Sequence, residues 1–277
     1  MIGGGAIGAE LTQAFSRFGV NVTVLEVVDR LLALEEPEAS TLVAEVFGRE
    51  GIRVLTGVTI SSVAYDEGQF VVTLGDQVVR ADALLVAVGR RTNLSDIGLD
   101  TVGLDPTART LETDDHLRAA AGLWALGDIT GKGAFTHMSM YQGAIVVRDI
   151  LGGDGPWADY RAVSRVTFTD PEVGSVGLTE AQARKDGGRV RVGFTELPSS
   201  SRGWIHKAGN DGFIKLVEDA DRGVLVGATS VGPCGGEVLS ALSVAIHGEV
   251  PTATLRSMIY AYPTFHRAIE AAVADLG

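Results

Sequence analysis

The sequence holds one cysteine, Cys234, in 277 residues. An internal disulfide, a CxxC redox pair and a cysteine-based zinc site are therefore excluded within this chain, and any thiol chemistry must come from elsewhere. Basic residues are outnumbered, 23 Lys+Arg against 35 Asp+Glu, for a net charge of -12. That balance repels phosphate backbones and anionic lipid surfaces, so nucleic acid is not an expected partner. Long apolar runs are also missing: segments such as Ala83 to Val88 fall far short of the ~20 residues of a membrane helix. No charged-then-apolar leader opens the chain, and the expectation is a cytoplasmic protein without a membrane partner. Proline is scarce at 8 residues while glycine is abundant at 36, without any collagen-like period, which excludes a proline-rich disordered chain and points to many tight turns or close backbone–ligand approaches. With 45% hydrophobic and 21% charged residues, the composition is that of a globular protein of about two domains.

Gly3, Gly5 and Gly8 open the chain in the G-x-G-x-x-G spacing, and Ile7, Leu11, Phe15 and Phe18 then recur at helical intervals. The segment Asn21 to Glu26 alternates as a strand and ends on a carboxylate near the ~20-residue offset at which a dinucleotide fold meets the ribose. Glycines without a Cβ let a pyrophosphate approach backbone N–H groups at a helix N-terminus. Glu26 is placed to accept the adenosine ribose hydroxyls and to repel a 2′-phosphate, which favours NAD over NADP.

A helix bearing Leu42, Val43, Val46 and Phe47, a strand Ile52 to Leu55, a hairpin around Asp66-Glu67-Gly68 and a buried strand Ala83 to Val88 ending in Gly89 complete a β-α-β-α-β pattern with an inserted meander. The strand expected before the glycine turn has only Met1 and Ile2, so the sheet would lack its middle. From Arg90 to about Trp157 the chain is loop-rich, with a short strand Leu123 to Leu126, the pair Gly127-Asp128 and a helix from about Thr136 to Leu151, a piece that reads as too small to own a core. From about Tyr160 onward, strands at Val166 to Thr169, Val190 to Glu196, Phe213 to Val217 and Val224 to Ser230, with helices near Thr179, Glu237 and the C-terminus, read as an α+β unit. Thr179 with Gln182 forms a capping-box signature.

Six segments in order carry a resemblance: residues 2–10 (IGGGAIGAE), 87–93 (AVGRRTN), 124–129 (WALGDI), 167–180 (TFTDPEVGSVGLTE), 212–216 (GFIKL) and 261–265 (AYPTF). Together they resemble the flavoprotein pyridine nucleotide-disulfide oxidoreductases, the group of dihydrolipoamide dehydrogenase, glutathione reductase and mercuric reductase. The resemblance implies an α/β protein with a Rossmann-like NAD-binding domain at 1–90, the C-terminal part of an FAD-binding domain at 91–158, and an α+β dimerisation domain at 159–277. It also implies a preceding segment, absent here, with the first half of the FAD site and a CxxxxC disulfide. The implied cofactors are FAD and NAD, with NADP disfavoured, and the implied partners are a second copy through 159–277 and a small-molecule electron acceptor: a disulfide, a metal ion or a quinone.

By the same resemblance, Asp128 matches the aspartate that hydrogen-bonds the flavin ribityl chain. Thr136 and His137 open the helix aimed at the flavin pyrimidine, Gly89 joins Gly3, Gly5, Gly8 and Glu26 among cofactor-binding positions, and Glu10 matches a glutamate that pairs with a flavin-side lysine. Near the C-terminus the sequence departs from the thiol-exchanging members, which place a histidine before Pro-Thr and a glutamate five residues later; here these positions hold Tyr262 and Arg267. A phenol of pKa ~10 is a poor base near neutrality and arginine cannot orient an imidazolium. Tyrosine there is similar to mercuric reductase, whose C-terminal cysteine pair this chain lacks. Tyr262 and, through an i,i+4 contact with Glu270, His266 are the catalytic candidates; Cys234 reads as a packed residue, and no metal ligands are assigned. The competing reading is a non-catalytic NAD-binding and dimerisation module.

Overall fold

The computed structural model of the chain describes residues 1–185 and 187–277. Along the chain run α1 (Ala6–Arg17), β1 (Thr23–Leu25), α2 (Pro37–Arg49), β2 (Arg53–Leu55), β3 (Ser62–Asp66), β4 (Gln69–Leu74), β5 (Gln77–Ala81), β6 (Arg118–Ala120), β7 (Leu123–Trp124) and α3 (Thr136–Ile150). Then follow β8 (Ser164–Thr167), β9 (Glu172–Gly177), α4 (Glu180–Lys185), β10 (Val190–Glu196), α5 (Ser201–His206), β11 (Phe213–Asp219), β12 (Val224–Gly232), α6 (Gly235–His247), α7 (Thr252–Ser257) and α8 (Ala268–Asp275). Contacts divide these into two compact units, Met1–Gly89 with Ser164–Gly277, and Arg90–Val163.

In the first unit β1 and β2 pair in parallel, Thr23 opposite Arg53 and Leu25 opposite Leu55. Met1 and Ile2, which the sequence gives as too short for a central strand, nevertheless form the middle of the sheet. Ile2 bridges Leu25 on one side and Val86 on the other, both in parallel. Its N–H donates to the Leu85 carbonyl at 2.9 Å, and its carbonyl accepts from Ala87 at 2.8 Å. The expected buried strand Ala83 to Val88 is reduced to that one bridge, with Val86 57% and Val88 68% exposed. Among the described residues its strand partner is Ile2.

Helix α1 lies where the spacing of Ile7, Leu11, Phe15 and Phe18 puts it, but its buried face is small and polar: Gly8, Ala9, Thr12 and Gln13. Ile7, Phe15 and Phe18 are exposed. Helix α2 begins on Pro37, whose fixed φ suits a first helical position, and turns Ala39, Val43, Val46 and Phe47 inward. The hairpin expected around Glu67-Gly68 forms and gains a third strand, giving the antiparallel meander β3-β4-β5.

Residues 164–277 build an antiparallel sheet in the order β10-β11-β12-β9-β8. The capping box forms as read, the Thr179 N–H donating to Gln182 Oε1 at 2.8 Å and the Gln182 N–H to Thr179 Oγ1 at 3.3 Å. Sequence reading passes over β9, α5 and α7; β9 (EVGSVG) carries three small residues in six and none of the bulky alternation that marks a strand. One apolar core joins the distant parts of this unit: Ala9, Val24, Leu31, Val43, Phe47 and Ile52 pack with Val173, Phe213 and Val231.

Charged groups knit the same junction. Glu35 receives a forked pair from Arg165 of β8 at 2.7 and 2.9 Å, and the Ser175 hydroxyl at 2.5 Å. Lys215 of β11, buried, meets Glu36 at 3.0 Å, Glu38 at 2.7 Å and Glu180 at 3.0 Å. Burial alone pulls the Lys215 ammonium down, but hydrogen bonds to Glu38, Glu180 and Glu36 outweigh it and raise its pKa. Lys215 first, then Arg184, holds Glu180 below the usual carboxylate range.

The second unit does own apolar clusters, contrary to the expectation from its size: Leu94, Leu99, Leu111 and Ala125 form one, and Leu117, Ile145 and Val146, backed by Trp124 and Trp157, form another. Asp149, near the end of α3, accepts from Arg118 at 2.7 and 2.5 Å and from Trp124 Nε1 at 2.7 Å, and pairs with His116 Nδ1 at 2.9 Å. Arg118, chiefly, keeps the Asp149 carboxyl well below its ordinary range.

Lys215→Met takes the shared cation from Glu36 and Glu38 and leaves Glu180 to Arg184 alone, and is expected to lower the unfolding free energy by about 3–5 kcal/mol at pH 7. A carboxyl with a depressed pKa stabilises above its ordinary range and loses that contribution as the pH falls, while protonation relieves the repulsion in the variant. The gap between the two proteins therefore narrows on going from pH 7 towards about pH 4; urea unfolding at both pH values measures it.

Candidate functional site

The parallel topology places the ends of Ile2, β1 and the Val86 segment along one edge, where Gly3 to Gly5, Glu26 and Gly89 follow. Outside the carboxyl ends of parallel strands is where open α/β sheets take ligands. The glycines there serve different ends. Gly3 has φ +102°, and a Cβ on it would lie 2.4 Å from the Ala87 carbonyl oxygen. A Cβ on Gly8 would lie 2.0 Å from the Gly3 carbonyl oxygen, so α1 docks on the turn only without a side chain there. Gly5 is ordinary in φ, and a Cβ on it meets nothing within 4 Å: the space above it is open. Gly5 is also the N-cap of α1, with no side-chain cap and no acidic residue in the first turn, so the positive end of the helix dipole faces that opening.

Glu26, buried, accepts the Gly4 N–H on Oε2 at 2.5 Å and the Val28 N–H on Oε1 at 3.0 Å. A carboxylate has about four acceptor positions, so two remain for hydroxyl donors. Glu26 thus braces the glycine turn from beneath while keeping acceptor capacity. Glu10 is not the solvated helix residue that an unpaired glutamate would be: its Oε1 accepts the Phe168 N–H at 2.8 Å. Farther along the same helix Gln13 pairs both ways with the Asp170 backbone, at 2.7 and 2.8 Å, and Arg17 reaches Glu50 at 2.6 Å and Asp170 at 2.8 Å.

In the second unit Gly127 and Asp128 open a 3₁₀ turn, Gly127–Thr130, immediately after β7 and Leu126. Gly127 has φ +78° and Asp128 leaves its side chain 42% exposed, paired with Arg90 at 2.9 Å. Thr136 and His137 are the first residues of α3, whose N-cap Phe135 offers no side-chain cap and whose first turn holds no acidic residue. The His137 ring stacks on Phe135 at 5.1 Å. The two features suit different chemistry: the exposed Asp128 carboxylate accepts from hydroxyl donors, and the N-terminus of α3 favours a partial negative charge.

The C-terminal candidates lie apart from these turns in sequence. Tyr262 is 67% exposed, with the Arg267 guanidinium 5.6 Å from its ring centroid. His266 falls before the first turn of α8, with its ring 6.4 Å from that of Tyr260; Glu270, its expected partner, is paired with Arg267 at 2.8 Å. Cys234 lines a cleft of about 390 Å³ with Arg202, Glu237, Thr264, Phe265 and His266. Burial, then the Glu172 charge, push its thiol up, away from the reactive thiolate. Among the described residues no group of three or more His, Cys, Asp or Glu side chains is disposed to hold a metal ion, and no helix is long and apolar enough to cross a membrane.

Sequence reading missed Arg90 and Gln142. Arg90 stands directly after Gly89 in a motif read only as a whole. Gln142 is legible as the one amide among Met138, Ile145 and Val146 on the buried face of α3.

A family model described as pyridine nucleotide-disulphide oxidoreductase matches residues 1–143, and one described as the dimerisation domain of that group matches 163–273. The chain is 34% identical over 267 residues to a dihydrolipoyl dehydrogenase of Chlamydia pneumoniae, covering 95% of this chain and 57% of that protein. It is 33% identical over 285 residues to the enzyme of the same name from Geobacillus stearothermophilus, covering 100% and 60%. The solved structure of LpdA from Mycobacterium tuberculosis matches with a TM-score of 0.89 at 27% identity, over 100% of this chain and 61% of that one. The HOCl-induced flavoprotein disulfide reductase RclA from Escherichia coli matches with a TM-score of 0.86 at 26% identity, over 99% and 63%. The chain spans about three-fifths of the length of these relatives.

Two substitutions separate the roles of the glycines. Gly8→Ala forces a methyl against the Gly3 carbonyl and is expected to cost about 1–3 kcal/mol of stability. Gly5→Ala, in open space and at an allowed φ, should leave stability unchanged or raise it by up to ~1 kcal/mol. Thermal and urea unfolding of both variants decide this.

Proposed function

Because the chain belongs to the pyridine nucleotide-disulphide oxidoreductase family, we propose that it forms the nicotinamide-binding part, the returning part of the flavin-binding domain and the dimerisation part of an FAD-dependent NAD(P)H oxidoreductase. Members of this family use FAD and NAD. The observation that carries the reading is the presence, in one chain and in family order, of two cofactor-type turns: the open glycine turn over Glu26, and the Gly127-Asp128 turn followed by a helix without a side-chain cap. The chain divides functionally at about 90 and 158, and residues 159–277 form the interface of a homodimer. On this reading it is a portion of a longer flavoprotein whose remaining segment completes the FAD site.

The nicotinamide and flavin supply the hydride chemistry; the protein binds and orients. Gly3, Gly5 and Gly8, with Gly89 at the neighbouring strand end, admit the NAD pyrophosphate to the N-terminus of α1, and Glu26 takes the ribose hydroxyls on its two remaining acceptor positions. Asp128 accepts from the flavin ribityl chain, and the N-terminus of α3 at Thr136 and His137 directs its dipole to the flavin ring. Glu10, anchored at one oxygen by Phe168, meets the cationic flavin-side group with the other. Tyr262 lies on the acceptor side, where its hydroxyl can hydrogen-bond a carbonyl or ligate a metal ion, with His266 a further source of a proton. Tyr262 and Arg267 stand in place of the base and its orienter, and Glu270 is held by Arg267, which favours a metal ion or a quinone as the electron acceptor over a disulfide, whose reduction to a dithiol calls on a base.

The NAD assignment is tested by titrating NADH and NADPH against the chain. NADH should bind at least tenfold more tightly, a difference of about 1.4 kcal/mol. Glu26→Arg should reverse the order, and Gly5→Ala should weaken NADH without loss of stability. Tighter binding of NADPH by the parent protein would sink the assignment.

Tyr262→Phe should leave flavin reduction by NADH unchanged in the FAD-loaded enzyme and slow only the reoxidation by acceptor. Stopped-flow separation of the two half-reactions reads this, and slowing of flavin reduction alone would remove Tyr262 from the acceptor side.

A further inference from the structure

Behind the Asp128 turn lies a polar network buried inside the second unit. The Gly127 N–H donates to Gln142 Oε1 at 2.6 Å, and Gln142 Nε2 donates to Thr130 Oγ1 at 3.1 Å and to the Tyr160 hydroxyl at 3.0 Å. Thr130 Oγ1 in turn donates to the Gly127 carbonyl at 2.9 Å. Gln142 is fully buried, and one side chain therefore grips both ends of the four-residue turn, its first N–H and its last hydroxyl. The carboxylate of Asp128, between those ends, points outward and accepts from the exposed Arg90 at 2.9 Å. Tyr160 closes the network from the far side, its phenol pushed up by burial and its ring under Lys132 at 5.7 Å.

An amide is suited to this place. It offers one acceptor to the backbone N–H and two donors to hydroxyls, so each of its contacts is satisfied without a buried charge. The left-handed φ of Gly127 leaves the turn free to relax in other directions if the N–H loses its acceptor, and a buried unpaired N–H is itself costly.

We propose that Gln142 is the positioning residue of the flavin site: it holds the Gly127–Thr130 turn so that the Asp128 carboxylate stands where a ribityl hydroxyl can reach it. The proposal rests on the reading of Asp128 given above. Gln142 touches no cofactor and acts wholly through the turn.

The test is a double-mutant cycle in the FAD-loaded holoenzyme, with FAD dissociation followed by the recovery of free-flavin fluorescence. Asp128→Asn is expected to weaken FAD at least tenfold. Gln142→Leu should weaken it at least tenfold as well. In the Asp128→Asn background, Gln142→Leu should add less than threefold, because its effect passes through the carboxylate already removed. Faster hydrogen exchange at the Gly127 amide in Gln142→Leu should accompany the loss. If FAD affinity survives Gln142→Leu while Asp128→Asn weakens it, or if the two losses multiply, the proposal fails and the reading of Asp128 stands. If Asp128→Asn has no effect, that reading fails and takes the proposal with it. Should Gln142→Leu not fold, Tyr160→Phe carries the same cycle in milder form. A loss of about threefold that vanishes beside Asp128→Asn supports the proposal, and an unchanged or additive affinity overturns it.

Discussion

The first unit depends on a knot of buried charge at the entrance to α2. Glu35 and Glu36 are neighbours in sequence, yet they reach different strands of the antiparallel sheet: Glu35 meets Arg165 of β8 and Ser175 of β9, and Glu36 meets Lys215 of β11. Buried ion pairs contribute modestly to net stability, but removing one member leaves the others desolvated and unpaired. The knot therefore acts as a registration device: an α2 shifted by one residue along the sheet would bury unmatched carboxylates. The shared apolar core of Phe47, Val173, Phe213 and Val231 supplies the burial that makes such a mismatch expensive.

The two cofactor-type turns answer one physical problem in the same way. Each needs a glycine at positive φ, Gly3 or Gly127, to turn the chain sharply after a strand. Such a glycine gains its freedom at the expense of rigidity. In each case a buried side-chain oxygen takes a backbone N–H of the turn, Glu26 from Gly4 and Gln142 from Gly127. On the proposed reading Glu26 carries both roles, brace of the turn and acceptor for the ribose. In the second unit the roles divide, with Gln142 inside and Asp128 outside.

The C-terminal segment shows how a nominal motif changes meaning with its surroundings. The i,i+4 spacing of His266 and Glu270 reads as a base and orienter if both lie on one helix. α8 starts at Ala268, and Glu270 is paired with Arg267 at 2.8 Å. Cys234, the sole thiol, is buried enough at the N-cap of α6 that its proton is held more firmly than in water.

Sequence alone determined the local grammar of this protein: the glycine spacing before α1, Pro37 at the start of α2, the Thr179–Gln182 box, the limits of β10 and α3, and the presence of carboxylates at Glu26 and Asp128. These are set by φ preferences, capping and periodicity over a few residues, which a linear reading can see. Tertiary structure alone decided what those elements meet. It gave Ile2 the middle of a sheet, because one residue with two parallel neighbours satisfies its hydrogen bonds from both sides. It turned the small face of α1 inward, because Gly8 must lie against Gly3. It brought Lys215 to Glu36, and Gln142 to Gly127, since a buried polar group takes whatever partner the fold brings within hydrogen-bond reach, and sequence distance does not enter that condition.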